Sequence, residues 1–282
     1  MKSSYRPDEA REDLDEWRLQ RRSVGFVPTM GALHKGHMSL IDRAKSENDK
    51  VVVSIFVNPL QFNDQSDFDN YPSTLDQDRS LLEDAGVDLL FSPTASVMHP
   101  MPMNFKVSVG KIAEVYEGYF RPGHFDGVAT VVAKLMLVVG ASKVYFGEKD
   151  IQQCLVVKRM VEEFHFPNQI EVVKTYREVD GLAFSSRNVR LSTPSREIAP
   201  LMYRYLSEAA RSIRDGADVS TEIDGAIKMV AKAASSSSVD FRYDYVDLVD
   251  GSFNAMDRFN EGLRLIAAWT LDGVRLIDNL AV

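Results

Sequence analysis

The sequence predicts an α/β fold: a Rossmann-like, doubly wound parallel sheet followed by a smaller α+β domain. Three observations carry this expectation. Runs such as Val24-Gly25-Phe26-Val27 and Val51-Val52-Val53-Ser54-Ile55-Phe56-Val57 are apolar without alternation, as strands buried on both faces are. Segments of helical period separate them, which places helices on both faces of a parallel sheet. Near Tyr176 the pattern changes to two long helices followed by short strands in which apolar and charged residues alternate.

In order, residues 24–29 predict the first buried strand, 36–48 a helix and 51–57 a second strand. A helix over 73–85 follows, capped by Ser73 or Thr74, whose hydroxyls suit the unpaired amides of a first turn. Residues 88–91 predict a strand. After a looser section come a helix over 123–139, a strand at 144–146, a helix over 151–164 and a strand at 170–175. Beyond these, 195–215 and 221–234 predict helices. Residues 241–245 form a half-buried strand, and 263–269 and 274–277 flank the hairpin signal Asp272-Gly273. The domains expected are 1–175 and 176–282.

With 282 residues, 45% hydrophobic and 26% charged, the chain is long enough to bury a substantial core. Its net charge of −8 opposes a role as a general nucleic-acid binder, which needs a basic excess. Cys154 is the sole cysteine, so no intrachain disulfide and no cysteine-based zinc site forms, as suits the cytoplasm. Residues 1–22 are highly charged and lack the apolar stretch of a secretory signal. No apolar run approaches the length of a membrane span. The run 235–238 is a short serine tract, read as a loop or frayed helix end.

The first candidate site is His34-Lys35-Gly36-His37, directly after a strand and a glycine turn. Unpaired amides at a helix start favour phosphate, and two imidazoles there can donate to phosphate oxygens. The turn is similar to the H-x-G-H constellation of enzymes that act by attack on the α-phosphate of a nucleotide; read alone, it is equally two surface or core histidines at a strand–helix turn. Asn58 and Gln61 follow the second strand and fit a small polar acid, or a proline-stabilised turn with capping amides. Tyr71 walls a pocket or marks an ordinary helix entry. Arg121 and His124 precede an apolar helix and suit an anion, or equally a solvated Pro-Gly turn. In Gly147-Glu148-Lys149-Asp150, glycine permits close approach of a ligand, lysine is a point charge for phosphate and aspartate can accept from ribose hydroxyls. Gln153 lies one turn into the next helix. Ser185-Ser186-Arg187 offers two hydroxyls and a guanidinium, a mobile phosphate clamp or simply a polar loop. Cys154 reads as core packing, and His99 and His165 as structural or surface residues. Neither a Walker A loop nor G-x-G-x-x-G occurs.

Taken together, Pro28-Thr29-Met30-Gly31-Ala32-Leu33-His34-Lys35-Gly36-His37, Asn58-Pro59-Leu60-Gln61-Phe62, Arg121-Pro122-Gly123-His124-Phe125, Phe146-Gly147-Glu148-Lys149-Asp150 with Gln152-Gln153, Asp180-Gly181-Leu182-Ala183 with Ser185-Ser186-Arg187-Asn188, and Arg275-Leu276-Ile277-Asp278-Asn279 resemble the pantothenate synthetase (pantoate–β-alanine ligase) family, in the family's order. The resemblance implies condensation of pantoate with β-alanine driven by ATP, through a pantoyl adenylate, by a homodimer; Mg²⁺ is expected on the phosphates, where it needs few protein ligands, and the second domain is expected to close over the first as a lid. By the same resemblance, His34, His37, Lys149, Ser185, Ser186 and Arg187 handle the phosphates. Met30, Gly147, Asp150, Tyr176 and Phe184 hold the nucleotide. Pro28, Met30, Gln61 and Gln153 hold pantoate, while Asn58, Tyr71, Arg121 and His124 line the site. Asp78 is carried over as a magnesium neighbour. The chain departs from the family pattern at Phe184, where Met or Leu is usual, at Ser73 for Arg, and at Tyr119-Phe120 for Ala-Ser. Two other readings are a nucleotidyltransferase that leaves the adenylyl group on its product, and a catalytically inert nucleotide-binding protein. The Gln61 and Gln153 loops and the Ser-Ser-Arg clamp oppose the first. The intact His34, His37, Lys149 and Arg187 oppose the second.

Overall fold

A computed structural model describes residues 1–282, apart from the side chain of Ser66. The elements in chain order are β1 (Lys2–Ser4), α1 (Pro7–Leu19), β2 (Val24–Thr29), α2 (Lys35–Glu47), β3 (Lys50–Ile55), α3 (Gln65–Asp69), α4 (Leu75–Asp84), β4 (Leu89–Phe91), α5 (Ala95–Met98), α6 (Glu117–Phe120), α7 (His124–Val139), β5 (Lys143–Gly147), α8 (Ile151–Glu163), β6 (Gln169–Val173), α9 (Thr193–Arg214), α10 (Val219–Ser236), β7 (Phe241–Val249), β8 (Arg264–Leu271) and β9 (Val274–Ala281). They form two compact units. The first is Met1–Glu148 with Gln152–Lys174, and the second is Lys149–Ile151 with Thr175–Val282.

The first unit is built on a six-stranded parallel sheet in the order β1-β4-β3-β2-β5-β6. The doubly wound parallel sheet expected from the sequence is therefore present. Val27, Val51, Val53 and Leu90 of its strands are buried with Leu40 and Ile41 of α2 and Leu82 of α4. The chain runs outward from β2 through β3 to β4, then returns to β5 on the other side of β2. The switch in direction lies between β2 and β5, and ligands of such sheets bind beyond the carboxyl ends of the strands at that point. Pro28 helps to open it. Pairing of β2 with β5 ends at Phe26, so the missing proline N–H costs no ladder bond there.

One region was not legible in advance. The charged residues 1–22 contain β1, which pairs with β4 through Ser3↔Leu90, and α1, which buries Ala10, Leu14 and Trp17. Only three apolar side chains at helical spacing carry that burial, and acidic and basic residues fill the remaining faces, so charge density hid the stripe.

The second unit packs α9 and α10 against an antiparallel sheet in the order β7-β8-β9. Met202, Leu206 and Ile213 of α9 and Val230 of α10 are buried with Leu265 and Trp269 of β8. The hairpin between β8 and β9 turns at Asp272 (φ 45°) and Gly273 (φ 80°), the positive-φ pair that the Asp-Gly signal predicts. The serine run spans the end of α10: Ser235 and Ser236 close its last turn, and Ser237 is its C-cap.

Candidate active site

In the first unit, residues 30–37 leave β2 through a turn with two left-handed residues, Gly31 (φ 84°) and Ala32 (φ 50°). A Cβ on Gly31 would lie 3.0 Å from Asp78 Oδ2 and 3.1 Å from Ile55, so glycine is required by both conformation and space. The buried Asp78 carboxylate holds the turn in place. It accepts from the Ala32 amide (2.9 Å), the Leu33 amide (2.8 Å) and the Thr74 hydroxyl (3.1 Å). Through these contacts Asp78 positions the turn. Among the described residues no group of three or more His, Cys, Asp and Glu is arranged to hold a metal ion.

The turn delivers His34 and His37 as the two halves of a capping box on α2. The Gly36 amide donates to His34 Nδ1 (3.2 Å), and the His34 amide donates to His37 Nδ1 (3.4 Å). The rings stack at 4.0 Å with an interplanar angle of 27°. Backbone donors on both Nδ1 atoms make Nε2 the protonated nitrogen of each neutral ring. The pair thus carries two N–H donors of fixed tautomer at a helix N-terminus, where backbone partial charge also favours an anion.

A second cluster in the same unit surrounds the turn after β3. Gln61 Nε2 donates to Met30 Sδ (3.1 Å), which joins the glutamine to the histidine turn, and Pro28 lies half-buried at the end of the same strand. Asn58 is buried, and both ends of its amide are hydrogen-bonded within the protein. Its Oδ1 accepts from the Leu60 amide (3.3 Å), and its Nδ2 donates to Gln61 Oε1 (3.0 Å) and to the Gly127 carbonyl (3.1 Å). Arg121 and His124 both bond to the backbone of that turn. Arg121 donates to the Gln61 carbonyl (3.2 Å) and forms an ion pair with Glu117 (3.6 Å), while His124 Nδ1 donates to that same carbonyl (2.8 Å). Buried backbone acceptors need partners, and these two side chains supply them. Tyr71 meets the edge of the Phe62 ring at 5.7 Å.

Gly127 escaped the sequence reading. A Cβ there would lie 2.2 Å from the Leu60 carbonyl oxygen, so only glycine lets α7 press against the turn bearing Gln61. The available signal was an isolated glycine inside an apolar helical run. On α8 the two neighbouring glutamines diverge. Gln152 is buried, accepting from the Glu117 amide (3.0 Å) and donating to the Ile112 (2.8 Å) and Val115 (2.9 Å) carbonyls. Gln153 is half-buried with no side-chain hydrogen bond among the described residues. Among the described residues, no atom beyond Gly147 and its two chain neighbours lies within 4 Å of where a Cβ of Gly147 would stand. Cys154 is buried, as core packing requires.

In the second unit, Lys149 lies 3.8 Å from Asp150, and its backbone carbonyl accepts from Asn279 Nδ2 (3.0 Å). Tyr176 and Phe184 are brought together by an Arg177↔Ala183 bridge and by the Phe184 amide donating to the Tyr176 carbonyl (3.1 Å); their ring centroids are 5.5 Å apart. Behind this loop, Arg177 makes a bidentate ion pair with the buried Asp278 (2.6 and 2.9 Å) and stacks on Tyr203. Arg196 adds ion pairs to Asp180 (2.6 Å) and Glu178 (2.7 Å). Burial alone would raise the Asp180 carboxyl pKa, but the Arg196 hydrogen bond and the Leu182 amide override it and hold the group below its usual range. Ser185, Ser186 and Arg187 follow on a half-buried turn in which Ser185 Oγ accepts from the Arg187 amide (3.2 Å).

The sequence model of the family described as Pantoate-beta-alanine ligase matches residues 3–281. The pantothenate synthetase of Cereibacter sphaeroides is 46% identical over 275 residues, 97% of each chain. Among solved structures, pantothenate synthetase from Thermus thermophilus superposes with a TM-score of 0.90 at 44% identity, covering 100% of this chain and 99% of the other. Pantoate-beta-alanine ligase from Francisella tularensis, complexed with beta-gamma ATP and beta-alanine, gives a TM-score of 0.84 at 35% identity, covering 100% and 97%. A match of this extent, over a sheet whose switch point carries the paired histidines, means that the chain belongs to the pantoate–beta-alanine ligase family.

Proposed function

We propose that the chain joins pantoate to β-alanine in two steps at the expense of ATP. In the first, a pantoate carboxylate oxygen bonds to the α-phosphorus of ATP and the bond to the bridging oxygen breaks, releasing pyrophosphate and leaving pantoyl adenylate. In the second, the β-alanine nitrogen bonds to the acyl carbon, the acyl–oxygen bond breaks and AMP leaves; the amine loses its proton as the amide of pantothenate forms. The observation that carries this reading is the tautomer-locked pair His34 and His37.

Negative charge grows on the phosphate oxygens during the first step, and fixed N–H donors stabilise it without reorganising. Lys149, Ser185, Ser186 and Arg187 are assigned to the same charge. Gly147 and Asp150 are assigned to the ribose, Tyr176 and Phe184 to the adenine, and Met30 to both nucleotide and pantoate. Gln61 and Gln153 bind the polar groups of pantoate and Pro28 its apolar part; Tyr71 completes the wall. Asn58, Arg121 and His124 act one layer behind, by holding Gln61. Magnesium enters as the counter-ion of the ATP phosphates, a mode in which this ion needs few protein ligands, with Asp78 as its neighbour. In this reading the second unit serves as a lid that keeps the adenylate from water. A cytoplasmic location and a homodimer belong to the same proposal.

The test is release of pyrophosphate and AMP from ATP and Mg²⁺, first with pantoate and then with β-alanine added. The expected result is pyrophosphate with pantoate alone and multiple-turnover AMP only after β-alanine. An adenylylated product that persists in the presence of β-alanine would identify a nucleotidyltransferase instead. A folded protein releasing no pyrophosphate with pantoate would refute the assignment.

A further inference from the structure

The turn that bears Gln61 is backed by His99, a buried histidine with no part in the reaction above. His99 caps the C-terminus of α5, far from the turn in sequence, yet its Nε2 lies 2.9 Å from Asn58 Oδ1. The polarity of this contact is fixed by backbone groups that have only one hydrogen-bonding sense. The Gly127 carbonyl can only accept, so the Asn58 atom facing it is Nδ2. The Leu60 amide can only donate, so the atom facing it is Oδ1. His99 must then donate to Oδ1 from Nε2. Its Nδ1 is buried with no partner among the described residues, as befits the unprotonated nitrogen of that tautomer.

The direction propagates. Asn58 Nδ2 donates to Gln61 Oε1, so the other end of the Gln61 amide, the end beside Met30, is the NH₂ group. We propose that His99 is a positioning residue that, through Asn58, fixes the Gln61 amide so that it presents an N–H donor to an acceptor oxygen of the acid substrate. A flipped amide would offer an oxygen there, which repels a carboxylate and serves a hydroxyl only as acceptor. The proposal rests on the assignment of Gln61 to pantoate. Burial and the nearby Lys134 ammonium keep the His99 imidazole less basic than usual and therefore neutral at pH 7. The Phe56 ring, 5.6 Å away, walls it from another side.

The experiment compares full-length wild type, His99→Leu and His99→Gln by steady-state kinetics, varying pantoate, ATP and β-alanine in turn. Glutamine retains an N–H donor at similar reach; leucine has none. His99→Leu is expected to raise the KM for pantoate about tenfold while leaving that for ATP unchanged, and His99→Gln to recover most of the loss. An unchanged pantoate KM in His99→Leu, an equal rise for all substrates, or no recovery in a folded His99→Gln would overturn the proposal. The tautomer is read independently of activity by long-range ¹H–¹⁵N NMR of the wild type. A proton on Nε2 of His99 is expected, and one on Nδ1 would refute the relay. If the wild type makes no pantothenate, the functional assignment fails, while the NMR result still decides the direction of the relay.

Discussion

Two regions assigned to phosphate are built in opposite ways. In the first unit, His34 and His37 are locked by backbone amides on their own Nδ1 atoms, and Asp78 locks the preceding turn by accepting two further amides. In the second unit, Ser185, Ser186 and Arg187 ride on a turn anchored from behind by side-chain ion pairs, Arg177 with Asp278 and Arg196 with Glu178 and Asp180. Only a substitution by proline removes a backbone N–H, so the first arrangement tolerates many substitutions around it but few within it. The second depends on a handful of long side chains, and one buried carboxylate holds much of it. Orientation is thus set once and permanently in the histidine turn, whereas the other loop is tied at its base.

The largest effect should come from the locked pair. His34→Ala or His37→Ala is expected to lower pyrophosphate release about 10²–10³-fold, the usual cost of removing a preorganised donor to developing charge, with the far-ultraviolet circular dichroism preserved. Near-normal release from either variant would break the comparison at its first term. Next is the tether. Asp278→Ala leaves the Arg177 guanidinium without its buried partner, and a loss of about 3 kcal/mol in urea unfolding is expected. A loss no greater than that of a surface substitution would show that the ion pair does not anchor the loop. The smallest is Asp78→Asn. The amide retains one acceptor atom but turns its NH₂ toward a backbone donor, for a cost of about 1–2 kcal/mol and a matching fall in turnover as the histidine turn relaxes. Lost stability with unchanged turnover would separate the turn's fold from its service to the histidines.

Much of the architecture was legible because burial on both faces leaves a continuous apolar run, as in β2 and β3, and because Asp272-Gly273 suits the positive φ of a two-residue hairpin. The N-terminal β1 and α1 were not, since three apolar residues among many charges give too weak a period. Around the candidate site the motifs stood out, but the division of labour within them did not. His99 was read as a residue without a pattern, and its partner lies 41 positions away.

The sequence by itself determined the order of the principal strands and helices from β2 onward, the strand-to-helix turns that carry the candidate site residues and the family to which the set belongs. Only the tertiary structure decided which polar residue of each turn faces outward and which is spent within. Gln152 and Gln153 are chemically identical neighbours, yet Gln152 is saturated by the amide of Glu117 and two carbonyls from residues 112–115. Asn58 and Gln61 share one turn, and a glycine of α7 claims the first. The physical reason is common to both. A buried polar side chain must be paired, and its partner is a backbone group delivered from a distant part of the chain, which no local pattern can announce.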